Sequence, residues 1–175
     1  MFEPIGGEQV YEGTIFSVRR ERFRHDDGGE VTREWVVHPG AVSVLAHDGH
    51  SFFMVAQPRE AVGEDALLEI PAGKLDEKGE EPLEAARREL AEEIGKRADS
   101  WRHLTTYYSS AGFTDEENHV YLATDLSDHS AEAEEEERIE IRQVPLADLD
   151  EIIERCRDAK TLIGLLWFRA YLRAD

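Results

Sequence analysis

The chain has 175 residues, of which 39 are acidic and 20 basic, for a formal net charge of −19. One domain with a sizeable core is the default at that length, and a composition of 41% hydrophobic and 34% charged residues is that of a globular protein. So acidic a chain argues against general binding to nucleic acid or to anionic membranes, and no apolar run approaches a membrane span. A small anionic ligand stays open, because a bound metal ion inverts the local field.

In chain order, residues 10–18 read as a strand, with Tyr11, Ile15, Phe16 and Val18. Residues 19–30 are charged and carry a turn signal, Asp26-Asp27-Gly28-Gly29. Residues 31–37, with Trp35, read as the hairpin partner, and His38-Pro39-Gly40 breaks the run. Two apolar strands at 41–46 and 52–57 are joined across Asp48-Gly49. A short strand at 67–70 leads into a loop and then a helix at 82–94. Strands follow near 101–109 and 119–124, then an acidic run at 131–137 and an alternating strand at 139–144. Residues 146–157 and 159–172 read as helices, the second with a core stripe of Leu162, Leu165, Leu166, Phe168 and Leu172. Strands mixed with a few helices predict an α+β domain. Residues 1–40 form an N-terminal strand and hairpin region, and 41–175 form the main domain. The one cysteine, Cys156, permits no intrachain disulfide, and Met1-Phe2-Glu3-Pro4 lacks a signal-peptide pattern, so a cytoplasmic location is expected.

The stretch 73–95 holds the chemistry. Pro82 suits a first helical turn and Gly95 the residue just past a last one, with Leu, Glu, Ala and Arg between. Leu83, Ala86, Leu90 and Ile94 fall on one apolar stripe. Glu89, Glu92 and Glu93 share an adjacent face at i, i+3 and i+4, where like charges cost about 0.2–0.5 kcal/mol per pair. A hard divalent cation offsets that repulsion, since it takes carboxylate oxygens and keeps waters and phosphate oxygens as further ligands. A solvated acidic face is the competing reading of any Glu-rich helix. The seven histidines show no metal-ligand spacing, and neither a Gly-x-Ser-x-Gly elbow nor a Walker-type loop is present.

Gly73, Glu80, Arg88, Glu89, Leu90, Glu92, Glu93 and Gly95 together resemble the signature of the Nudix hydrolases, G-x5-E-x7-R-E-U-x-E-E-x-G-U, with U a bulky aliphatic. Two departures exist: the loop from Gly73 to Glu80 holds one extra residue, and Lys96 replaces the final aliphatic. The resemblance implies the Nudix fold, a mixed β-sheet sandwiched between helices with an N-terminal antiparallel hairpin. It also implies Mg²⁺ (or Mn²⁺) and cleavage of a diphosphate linked to another group. Further matches point to the ADP-ribose pyrophosphatase branch: Arg33, His38-Pro39-Gly40-Ala41-Val42, Gln57-Pro58-Arg59, Glu69-Ile70-Pro71-Ala72-Gly73-Lys74 and Thr161-Leu162-Ile163. One departure bears on substrate. Ala111 stands where that branch usually has proline, in an otherwise similar Ser109-Ser110-Ala111-Gly112-Phe113-Thr114-Asp115-Glu116 loop.

The same resemblance distributes roles. Glu89 and Glu93 would be principal metal ligands, Glu92 a ligand directly or through water, and the Ala72 carbonyl a further donor. Gly73, Glu80, Arg88 and Gly95 would build the box. The catalytic base would come from the acidic run, Glu137 first and Glu136 second, with Glu92 also in the catalytic set. Arg33, Trp35, Arg59, Gly112 and Phe113 would meet the substrate. Trp35 and Phe16 are aromatic faces suited to an adenine, or to core or dimer packing. The expected reaction is hydrolysis of ADP-ribose to AMP and ribose 5-phosphate in a homodimer whose N-terminal region lies at the interface. Alternatives are another nucleoside diphosphate sugar, or a sensing module that binds without cleaving. Retention of Glu89, Glu92 and Glu93 favours the enzyme.

Overall fold

The computed structural model describes residues 1–129 and 138–172. Its contacts divide the chain into two compact units: Met1–Gly40 with Tyr107–Glu117, and Ala41–Thr106 with Asn118–Asp175.

The first unit is a three-stranded antiparallel sheet of β1 (Phe2–Glu12), β2 (Ser17–His25) and β3 (Glu30–Val37), in that order. The sequence predicts one strand at 10–18, followed by a charged segment at 19–30 that carries a turn signal at 26–29. Instead the chain reverses inside 10–18, where Gly13 N–H bonds the Phe16 carbonyl at 3.0 Å, and β2 continues through the charged residues to His25. The register explains this. Glu8 and Glu34 lie directly opposite Arg20, and Glu3 and Glu30 directly opposite Arg24. Opposite charges across neighbouring strands support a sheet, so a charged run that does not read as a strand is a ladder of cross-strand pairs. The real turn is the Asp26-Asp27-Gly28-Gly29 signal, with Gly28 at φ 82°. Residues 107–117 join this unit through Val36, whose N–H bonds the Phe113 carbonyl at 2.7 Å and whose carbonyl accepts from Asp115 N–H at 3.2 Å.

The second unit holds β4 (Ala41–His47), β5 (Ser51–Arg59), β6 (Glu64–Glu69), β7 (Ala72–Lys74), α1 (Pro82–Ile94), all but the last two residues of β8 (Lys96–Tyr108), all but the first of β9 (Glu117–Asp128), β10 (Glu140–Pro145), α2 (Leu149–Arg155) and α3 (Ala159–Leu172). The sheet runs β10-β5-β4-β9-β8, with β6 paired to β5 and β7 to β4. It is mixed: β4 and β9 are parallel, while β5 meets β4, β6 and β10 antiparallel. Alternation assigns the two faces. Val42, Val44 and Ala46 of β4, with Phe53, Val55, Tyr121 and Ala123, pack under Ala85, Ala86, Leu90 and Ile94 of α1. On the other face Gly164 of α3 brings its backbone against Leu45, Ile70 and Val120, and Phe168 stands 5.1 Å edge-on to both Phe52 and His47. A sheet buried on both faces needs near-continuous apolar strands, as 41–46 and 52–56 are. The helix expected at 146–157 is shorter, a 3-10 turn at Leu146–Asp148 followed by α2.

Candidate active site

The box helix α1 begins with Pro82 in its first turn and ends at Gly95, which takes the left-handed φ of 63° and donates back to the Ala91 and Leu90 carbonyls. Its apolar stripe fixes its rotation on the sheet, and that rotation turns Glu89 and Glu93 toward β7. Glycine at position 73 is a steric requirement: a Cβ there would lie 1.9 Å from Cδ and Oε1 of Glu89. The missing side chain is the space that the Glu89 carboxylate uses. Glu93 is 9% exposed, and its Oε2 accepts from Ala72 N–H at 3.1 Å. The residues of the Ala72-Gly73 dipeptide therefore meet the two carboxylates that lie one helical turn apart.

Arg88 binds the rest of the box. Its Nε and Nη2 donate to the two oxygens of Glu80 at 3.2 and 3.1 Å, a bidentate pair that ties the loop to the helix. Its Nη1 donates to Glu89 at 2.8 Å and to Glu92 at 2.9 Å. The Glu80 hydrogen bonds, then the charge of Glu89 and the hydrogen bond to Glu92, hold the guanidinium well above its ordinary pKa despite partial burial. Among the described residues no three His, Cys, Asp or Glu side chains stand close enough to enclose a metal by themselves. One oxygen each of Glu89 and Glu92 is turned to Arg88. The donor set still suits a hard cation: carboxylates on one face, a glycine cradle that admits Glu89, and a buried Glu93 against backbone.

A second ionic cluster lies in the same unit. Arg59, at the end of β5, grips Glu69 of β6 with Nε on Oε1 at 2.6 Å and Nη2 on Oε2 at 2.7 Å. Lys160 of α3 also bonds Glu69 Oε2, and reaches Asp158 at 3.0 Å. Burial alone would push the Glu69 carboxyl up, but Arg59 and Lys160 outweigh it and hold the carboxyl below its ordinary value. From the sequence Arg59 is expected at the substrate, while Glu69, Asp158 and Lys160 carry no expected role. The available signal was a lone carboxylate in the apolar run Leu67-Leu68-Glu69-Ile70.

In the first unit, Arg33, Trp35, Gly112 and Phe113 line one pocket of about 510 Å³, together with Ala111 and Phe23. Trp35 lies 6.1 Å from Phe23, whereas Phe16 packs on Tyr11 at 5.7 Å and does not line that pocket. The loop carrying Ala111 is held by Ser109 N–H on the Glu116 carbonyl at 3.0 Å and by Asp115, which accepts from His38 N–H at 2.9 Å. Glu136 and Glu137, the expected bases, lie outside the described residues.

A NUDIX domain model matches residues 37–163, which contain the whole box. The chain belongs to the Nudix family. Relatives of this Nudix chain include a protein named ADP-ribose pyrophosphatase from Bacillus subtilis (strain 168), 41% identical over 170 residues that span 94% of this chain and 91% of that one. A protein of the same name from Mycobacterium tuberculosis (strain ATCC 25618 / H37Rv) is 46% identical over 126 residues, 71% of this chain and 60% of that one. A crystal structure described as an ADP compounds hydrolase matches with a TM-score of 0.87, covering 99% of this chain and 95% of that chain at 23% identity. That likeness is one of fold: the mixed sheet with its helices is the Nudix fold.

Proposed function

We propose that this chain is a Mg²⁺-dependent pyrophosphatase that hydrolyses ADP-ribose to AMP and ribose 5-phosphate. The observation that carries the reading is the intact carboxylate face of α1, with Glu89 seated over Gly73 and Glu93 on the Ala72 amide. Similarity to proteins named ADP-ribose pyrophosphatase supports the choice of substrate. Glu89, Glu92, Glu93 and the Ala72 carbonyl would hold the cation, with Mn²⁺ as a substitute. Such a cation neutralises diphosphate charge and lowers the pKa of water.

The residues supply the rest. Water attacks one phosphorus, the bridging P–O bond breaks, and the water's proton passes to a carboxylate, for which Glu137 and then Glu136 stand first. Arg59 meets a diphosphate oxygen with its guanidinium. Arg33 and Trp35 bind the adenosine part, with Gly112 and Phe113 shaping the loop beside them. Arg88 and Glu80 keep the box loop on the helix. The N-terminal unit exposes Val10, Tyr11, Ile15 and Phe16, which suits a homodimer interface. No helix among the described residues is long and apolar enough to cross a membrane, and one cysteine suits a reducing cytoplasm.

Ala111 favours a second reading within the class, another nucleoside diphosphate sugar. Without a proline ring the backbone at 111 is freer, and that residue lines the pocket. A panel of ADP-ribose, ADP-glucose and NADH, with products resolved by chromatography with and without Mg²⁺, tests both readings. ADP-ribose should give AMP and ribose 5-phosphate with the highest kcat/KM, only with the cation. A higher kcat/KM for ADP-glucose would select the second reading, and binding without turnover of any compound would make the chain a sensor.

A further inference from the structure

Glu69 is 1% exposed, and its carboxylate receives three N–H donors from two cations: Arg59 Nε, Arg59 Nη2 and Lys160 Nζ. A buried carboxylate is costly unless it is paired and hydrogen-bonded, and buried ion pairs in general add little stability over apolar residues of similar volume. The pair is lopsided. The carboxylate is wholly buried while the Arg59 side chain is 41% exposed, and Arg59 Nη1 makes no hydrogen bond among the described residues. Arg59 also feels the charge of Glu93, the buried carboxylate of the box. This geometry turns one edge of the planar guanidinium, Nε with Nη2, onto Glu69 and leaves the Nη1 end to be presented.

The hold on Glu69 comes from the first turn of α3. Asp158 accepts from Thr161 N–H at 2.9 Å and from the Thr161 hydroxyl at 2.6 Å, and it also accepts from Lys160. Thr161 Oγ1 in turn accepts from Ile70 N–H at 2.8 Å, and two residues on, Ala72 N–H donates to Glu93. The segment from Glu69 to Ala72 is thus pinned to α3 at one end and to the box helix at the other.

We propose that Glu69 and Lys160 are positioning residues, a clasp from α3 that orients the Arg59 guanidinium toward a diphosphate oxygen of the substrate. The assignment rests on the proposed reading of Arg59 as a phosphate-binding group. The clasp acts only through Arg59, and this separates it from a merely structural ion pair.

Steady-state kinetics with ADP-ribose and saturating Mg²⁺ test it, using Glu69→Gln, Lys160→Met and Lys160→Arg in the wild-type and Arg59→Ala backgrounds. With Arg59 present, Glu69→Gln should raise KM at least about tenfold and Lys160→Met about three- to tenfold, with kcat within about threefold. Lys160→Arg should return KM to within about twofold, since Lys160 makes one charge-assisted hydrogen bond to Glu69, which a guanidinium can also donate. In the Arg59→Ala background both losses should shrink below about twofold, because the residue through which they act is gone. Losses that persist undiminished there, or thermal destabilisation with KM unchanged, would overturn the clasp. If Glu69→Gln does not fold, the two Lys160 variants decide alone. Calorimetry with inorganic pyrophosphate and Mg²⁺ repeats the comparison without turnover. A wild type that binds pyrophosphate through Arg59 but cleaves no ADP-ribose sinks the functional reading and leaves the clasp standing. An Arg59→Ala variant unchanged in both assays sinks the clasp.

Discussion

The chain uses Arg–Glu pairs in two ways. On the N-terminal sheet, Arg20 and Arg24 each meet two glutamates on the flanking strands, at 2.6–3.5 Å, with every partner well exposed. In the second unit, Arg88 meets Glu80, Glu89 and Glu92, and Arg59 meets the buried Glu69. The distances overlap, so geometry alone does not separate the two sets. Solvent does. Water screens the exposed ladder and replaces any lost contact. Around Glu69 and the box, a lost partner leaves a desolvated charge. The exposed pairs therefore set register, and the secluded pairs set the position of a particular atom.

The largest contrast should come from the box. Glu93→Gln should cost at least about 10²-fold in kcat, the scale seen when one charge-stabilising group is removed. The fold should survive, since the amide oxygen of glutamine can still accept from Ala72 N–H. One charge fewer among Glu89, Glu92 and Glu93 also relieves repulsion, so the melting temperature without metal should hold or rise. Near-wild-type turnover at saturating Mg²⁺ would remove Glu93 from the proposed ligand set.

Next comes Gly73→Ala. The added methyl would occupy the place of the Glu89 carboxylate, 1.9 Å from two of its atoms. The carboxylate swings away more easily than the strand moves, so Mg²⁺ affinity should fall about tenfold or more while the melting temperature changes little, as happens when a group that orients a metal's ligands is changed. Mg²⁺ titration followed by tryptophan fluorescence and by activity would read both. An unchanged affinity would show that Glu89 does not need that space to bind the cation.

A smaller effect is tied to pH. The folded state holds the Glu69 carboxyl below its ordinary value, against burial, through Arg59 and Lys160. A depressed carboxyl contributes stability that is fully present above its unfolded pKa of about 4.3 and is lost as pH falls through the folded value. The stability gap between wild type and Glu69→Gln should therefore be widest near neutrality and should narrow as pH drops below about 4.3. Urea unfolding at a series of pH values measures it. A gap that widens in acid would mean that Glu69 is protonated in the native protein.

Much of the fold was legible because apolar periodicity dominates where both faces of a sheet are buried. The paired strands at 41–46 and 52–57, and the helices at 82–94 and 159–172, emerge at or near their observed limits. The misreadings have one cause. Residues 19–25 do not read as a strand because their charges suit water, and only the register shows Arg20 and Arg24 each between two Glu. Residues 107–117 join the N-terminal unit through Val36, a long-range backbone pairing that no local pattern announces. In the site, box spacing announced which residues share the helix face. The clasp stayed hidden because Asp158 and Lys160 are 89 and 91 residues from Glu69, and nothing in their own neighbourhood requires a partner.

The smallest expected effect is the sharpest check on the comparison. Arg20→Gln and Arg24→Gln each remove a cation that stands between two glutamates, so pair counting predicts a heavy loss. Solvent screening predicts otherwise. Each variant should melt within the scatter of the wild type at about 0.15 M salt, where the screening length is about 8 Å. At about 0.01 M salt the length grows to about 30 Å, and a small drop should emerge from the unscreened repulsion across the sheet, between Glu8 and Glu34 or between Glu3 and Glu30. Thermal melts at the two salt levels, with Arg88→Gln beside them, complete the experiment. Arg88→Gln should lose stability at both, because two of its three carboxylate partners, Glu80 and Glu89, are largely shielded from solvent. If Arg20→Gln loses as much as Arg88→Gln at the higher salt, exposure is not what separates the two sets. The N-terminal ladder would then have to be treated as a structural core in its own right.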